Sequence, residues 1–148
     1  MSRSYYGLRY HIVFGTKNRA PLITPEIREP LYAYLAGVID NIGGRTYAIG
    51  GTVDHVHILA ELGKSRLLQD YVRDIKANSS RWVRSTYPDH RCSAWQKGAG
   101  VFTVGVKSVP QVKAYIDAQD EHHRTESFGD EFVGFLRWHG IAHDPGEI

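Results

Sequence analysis

His55 and His57 are separated by one residue. On a β-strand, residues i and i+2 project from the same face, so the two imidazoles stand side by side. The stretch from Val53 to Ala60 reads as such a strand. Val56, Ile58 and Ala60 make one apolar face, and the histidines share the other with Leu59. Two nitrogens on one rigid strand begin a divalent-cation site and leave several coordination positions open. A second group lies further along, where Tyr115, Gln119, His122 and His123 fall at i, i+4, i+7 and i+8. One face of a helix would then carry a phenol, an amide and two imidazoles. Together the two groups read as a metal site with an adjacent nucleophile. Each alone has a plainer reading. The His pair would serve as cross-strand packing, and the helix face would be solvated, as Asp117, Asp120, Glu121 and Arg124 suggest.

The elements that must position these groups follow from the same periodicities. Tyr6 to Phe14 is a strand ending at Gly15, followed by a basic loop. Thr24, Pro25 and Glu26 supply an N-cap, a first-turn proline and a first-turn acid. The helix they open carries Leu31, Leu35, Val38, Ile39 and Ile42 at helical spacing and ends at Gly43-Gly44. Arg45 to Ile49 is a short strand, and with the turn at Gly50 to Thr52 it forms a hairpin with the histidine strand. A long helix spans Leu67 to Thr86 and stops at Pro88. A Gly-rich stretch leads to a strand over Val101 to Val106, and a hinge over Lys107 to Pro110 leads to the tyrosine helix. Ser108, Pro110 and Gln111 predict a capping box at its start. The order predicts an α+β, ferredoxin-like split βαβ fold. Its antiparallel sheet carries helices on one face, and a C-terminal helix bears the tyrosine.

With 148 residues, 42% of them hydrophobic, residues 1–148 suit a single domain. A stretch of about 18 apolar residues is lacking, as is a secretory leader, so no membrane partner and a cytoplasmic, nucleoid-associated location are expected. The one cysteine, Cys92, excludes an intramolecular disulfide framework. A net charge of +2 does not by itself establish nucleic-acid binding.

Asp54-His55-Val56-His57, followed by Tyr115 with Gln119 one turn on, resembles the signature of the single-tyrosine HUH transposases (His, hydrophobic, His). These are the transposases of the smallest bacterial insertion sequences and their REP-associated relatives. The resemblance extends to Tyr10 through Phe14 with Lys17-Asn18-Arg19, to Trp95 through Val106, and to Glu131 through Ile141, nearly the whole chain. It implies that Tyr115 is the catalytic nucleophile and that His55, His57 and Gln119 hold a divalent metal. Mixed nitrogen and oxygen ligands suit Mg2+ or Mn2+ as a Lewis acid, and zinc is admitted on ligand type alone. It further implies cleavage and rejoining of single-stranded DNA at hairpin-containing ends through a 5′-phosphotyrosine. The homodimer it implies has each tyrosine helix completing the other subunit's histidine site.

For proton acceptance from the phenol, Asp54, His122 and His123 stand as candidates. Lys17 and Arg19 in the basic loop, and Arg73 and Lys76 on the long helix, are candidate DNA-phosphate contacts, each with a solvated charge as the alternative. Trp95 would stack on a base or pack. Other readings stay open at this level: a host-domesticated nuclease acting on hairpin repeats, a catalytically inactive nucleic-acid-binding module, or a zinc hydrolase with His122 as its third ligand.

Overall fold

The computed structural model describes residues 2–147. Four strands, β1 (Arg9–Gly15), β2 (Arg45–Thr52), β3 (His55–Glu61) and β4 (Gly100–Thr103), form one antiparallel sheet in the order β2-β3-β1-β4. Helix α1 (Pro25–Asn41) connects β1 to β2, and α2 (Leu68–Thr86) connects β3 to β4. This is the split βαβ arrangement that the sequence predicts. Among the described residues, no helix is long and apolar enough to cross a membrane.

The sheet separates a core from a chemical site because its side chains alternate. One face of β1 and β3, with Ile12, Phe14, Val56, Ile58 and Ala60, packs against Leu31, Leu35 and Ile39 of α1 and Tyr71 and Ile75 of α2. The opposite face presents His11 and Val13 from β1 and His55, His57 and Leu59 from β3, all buried. In register, Val13 pairs with His57 and His11 with Leu59, so the three histidines lie on adjacent central strands.

That second face is also covered by helices. Three more complete the chain: α3 (Val109–Asp117), α4 (Gln119–His122) and α5 (Phe128–Trp138). Ile116 of α3 packs on Ala48 and Leu59, while Phe128, Phe132 and Leu136 of α5 pack on Val13 and Phe102. Helices therefore flank the sheet on both sides. The expected capping box does not form. Ser108 already has helical angles (φ −91°, ψ −6°) and caps nothing with its side chain, because a 3-10 turn over Val106–Ser108 leads into α3. The predicted continuous tyrosine helix is likewise interrupted at Ala118 (φ −99°, ψ 19°).

Candidate metal centre

Gly50 sets how closely α3 can approach the sheet. A Cβ at Gly50 would lie 2.3 Å from the Ile116 carbonyl oxygen, a contact only glycine permits. With α3 seated there, Tyr115 faces His57 (ring centroids 5.9 Å apart), and the break at Ala118 turns Gln119 inward beneath His55. Arg28 of α1 holds the far side of this break through Asp120, at 3.0 Å.

Glu131 lies at the centre. Its Oε1 is 2.8 Å from His57 Nε2 and 3.2 Å from His123 Nε2, and its Oε2 accepts hydrogen bonds from the Tyr115 hydroxyl and, at 3.0 Å, from Gln119 Nε2. Gln119 Oε1 sits 2.8 Å from His55 Nε2 and 3.0 Å from His123 Nε2. One ligand atom each from His55, His57, His123 and Glu131 lies within 4.8 Å of the others.

The polarity of this cluster is what a cation needs. His55 Nδ1 is 2.8 Å from Asp54 Oδ1 and His123 Nδ1 is 2.6 Å from the Glu126 carbonyl, so each ring donates its Nδ1 proton outward. In the neutral rings both Nε2 atoms are then bare lone pairs, and they face the Gln119 and Glu131 oxygens, which are also acceptors. Acceptors converging on acceptors require protons or a metal ion between them. Three imidazoles, an amide oxygen and one carboxylate fit a divalent transition-type cation such as Mn2+ better than Mg2+, which favours all-oxygen surroundings.

His11 completes the arrangement from behind. Its Nε2 is 2.7 Å from His57 Nδ1. For His57 to offer Nε2 as a ligand, its Nδ1 must donate to His11, which requires a neutral His11. Burial, reinforced by the nearby His57, pushes His11 down to about 3 and keeps it neutral. Burial also lowers His57 against the pull of Glu131. Burial and the adjacent Glu131 carboxylate together push the Tyr115 phenol up. Glu131 itself would be raised by burial, but its contact with His57 and the hydrogen bonds from Tyr115 and Gln119 outweigh that and hold it below the usual carboxylate range.

The structure thus brings together Tyr115, His55, His57 and Gln119, and all belong to one chain. Within the one chain, the seat at Gly50 and the short connection from β4 place Tyr115 against His57. Three participants were not singled out by pattern: His11, Glu131 and, as a ligand, His123. His123 rather than His122 turns inward, because the interrupted helix leaves His122 against the Tyr115 ring at 4.3 Å.

The candidate DNA contacts divide. Arg19 reaches the site: its guanidinium lies 4.2 Å over the Phe128 ring, which in turn stacks on His55 at 4.2 Å. Its backbone has a positive φ of 56°, a strained conformation for a non-glycine residue. Its Nη1 is buried and without a protein hydrogen-bond partner. Lys17 is exposed nearby in sequence. Arg73 and Lys76 line a groove of about 780 Å³ on α2, across the sheet from the histidines. Arg73 is paired with Asp70 at 3.1 Å, and the Lys76 ammonium is held by the Gln96 and Gly98 carbonyls at 2.6 and 2.7 Å. Trp95 packs at 4.8 Å against Phe14 and donates to Ser79 Oγ at 2.9 Å, the packing alternative of the two expected.

The family of IS200-like transposases matches residues 4–119. The ISDra2 transposase TnpA of Deinococcus radiodurans is 24% identical over 121 residues, spanning 78% of this chain and 86% of that protein. A crystal structure from Deinococcus radiodurans R1, assigned as a transposase, superposes with a TM-score of 0.63 at 25% identity, over 80% of this chain and 96% of that one. A REP-associated tyrosine transposase bound to a REP hairpin shares the fold, with a TM-score of 0.59 at 19% identity over 83% of this chain and 73% of that one.

Proposed function

The chain belongs to the IS200-like transposase family, and on that premise we propose that it is a metal-dependent transposase that cuts and rejoins single-stranded DNA at hairpin-bearing ends through a 5′-phosphotyrosine. The observation that carries this reading is the Tyr115 hydroxyl held by Glu131, which also contacts the His57 nitrogen that would bind the ion. His55, His57, His123, Gln119 and Glu131 would hold a divalent cation, Mn2+ or Mg2+. Bound there, the cation would act as a Lewis acid, offsetting phosphate charge and lowering the phenol pKa.

Tyr115 Oη forms the bond to phosphorus, the bond from phosphorus to the 3′ oxygen breaks, and the departing 3′ oxygen takes a proton from solvent water and leaves as a 3′-hydroxyl. Glu131 Oε2, already accepting the phenol hydrogen bond, is the acceptor for the proton. The phosphotyrosine conserves the ester bond, so a second 3′-hydroxyl can reverse the step and rejoin strands without ATP. Arg19, with an unpartnered N–H behind His55, is placed to meet the phosphate; Lys17 serves the flanking backbone, and Arg73 and Lys76 would serve only DNA that continues round to the α2 groove across the sheet. Assembly as a homodimer belongs to the same reading, in which exchange of the tyrosine helices would let each copy complete the other's histidine site.

The test uses single-stranded hairpin DNA from the gene's own flanks, labelled at either end, with Mn2+ or EDTA. A protein adduct that retains the 3′ label, requires the metal and vanishes in Tyr115→Phe is expected. Hairpin binding without an adduct under any metal would leave a DNA-binding module and remove the catalytic reading.

A further inference from the structure

The metal ligands and the tyrosine occupy only one end of a larger cleft of about 570 Å³. From Tyr115 and Glu131 it runs between β4 and α5 to Trp138. Its floor is a stack of aromatic rings: Phe135 lies on Phe102 (centroids 5.4 Å, planes 24° apart), and Phe102 on His139 (4.6 Å, 19°). At the rim, Trp138 is 87% exposed, more than any other large hydrophobic side chain among the described residues. No lysine or arginine is found among the described lining residues, which include the carboxylates of Glu126 and Glu131.

We infer that this cleft is a nucleobase subsite, which holds by stacking a base of the strand presented to Tyr115. The inference rests on the transposase reading and adds to it where the substrate's bases go. An aromatic floor with acidic walls rejects a phosphate and accepts the face of a base, and such stacking tolerates any base. Continuity with Tyr115 selects this occupant over a second copy of the chain: the cleft leads to the tyrosine that the DNA strand must reach. Gly134 adds an independent sign. It lies within α5, where glycine is a poor helix former, and a Cβ there would meet nothing within 4 Å. The missing side chain leaves the cleft open.

The experiment compares binding of an octamer of thymidylate with that of an octamer of abasic nucleotides, by fluorescence anisotropy, in EDTA. The wild-type chain is expected to prefer the thymidylate by about tenfold, the scale of one stacked base. Gly134→Leu fills the cleft while improving helix propensity, and should bind both octamers at the abasic level; Trp138→Ala should lose most of the preference. A preference that is absent in the wild type, or unchanged in Gly134→Leu, overturns the subsite. So does a Gly134→Leu chain whose base preference is intact while sedimentation shows a dimer becoming a monomer, since the cleft would then hold a second copy. Neither readout involves cleavage, so failure of the adduct assay and failure of the subsite are separate results.

Discussion

His11 offers the sharpest quantitative test, because its role depends on staying neutral. Its pKa is held from the ordinary 6.5 down to about 3 by burial and by His57. A depressed folded-state pKa means that the unfolded chain binds the proton first. The associated stability is therefore complete above pH 6.5 and is lost as the pH falls toward 3. Each unit is about 1.4 kcal/mol. At pH 5 His11 alone should cost about 2 kcal/mol, or about 4–8 °C in Tm for a chain of this size. His57 moves in the same direction, so the wild type should lose more than this. The comparison is thermal unfolding in EDTA at pH 7, 6 and 5, followed by circular dichroism, for the wild type and His11→Gln. The range stays above the titration of ordinary carboxylates. The variant keeps an acceptor for His57 and starts less stable, but its loss between pH 7 and 5 should be smaller by about 2 kcal/mol. Equal losses in the two proteins would refute the buried neutral histidine and the tautomer argument built on it.

Glu131→Gln removes the only carboxylate of the cluster at nearly constant shape, and Mn2+ affinity of the apo protein, measured by calorimetry, should fall at least 10- to 100-fold, the range found for perturbed metal surroundings (about 1.4 to 2.7 kcal/mol); unchanged affinity would remove Glu131 from the ligand set. Gly50→Ala drives a Cβ against the Ile116 carbonyl and must displace α3. Adduct formation should drop about 100-fold through misplacement of Tyr115, with Mn2+ affinity within a few-fold of wild type, and a normal adduct rate would show that the seat does not position the nucleophile. Tyr115→Phe should lose about 1 kcal/mol of stability with its hydrogen bond; a loss several times larger in chemical denaturation would identify the tyrosine as a core residue.

The sheet half of the site was legible because its code has period two: His55 and His57 could share a face with Leu59 only if Val56, Ile58 and Ala60 faced the core, and they do. The start of α1 was legible from Thr24 and Pro25, and its end from Gly43, whose φ is 86°. The interruption of the tyrosine helix was not, since no residue from Tyr115 to His123 breaks a helix by type. It arises from tertiary contacts, the inward bonds of Gln119 and the outward pair of Asp120 with Arg28. Glu131 left a faint signal, a carboxylate three residues after Phe128 and one before Phe132 on the buried stripe of α5. Such an acid must find a buried partner, but nothing in the spacing says that the partner is His57. His11 sits opposite the side of β1 that carries Ile12 and Phe14, and its partner on β3 follows only from strand order.

The ligands come from three places along the chain, β3, the α4 turn and α5, and the contact between His57 and Glu131 spans 74 positions. In polymer terms, an ion bound here is a removable crosslink that closes a long loop, the kind whose closure removes the most conformational freedom. Occupancy would then decide how firmly the C-terminal helix is fastened to the sheet. The same helix forms one wall of the aromatic cleft, so a bound cation would anchor that wall through Glu131 as well as act on the tyrosine.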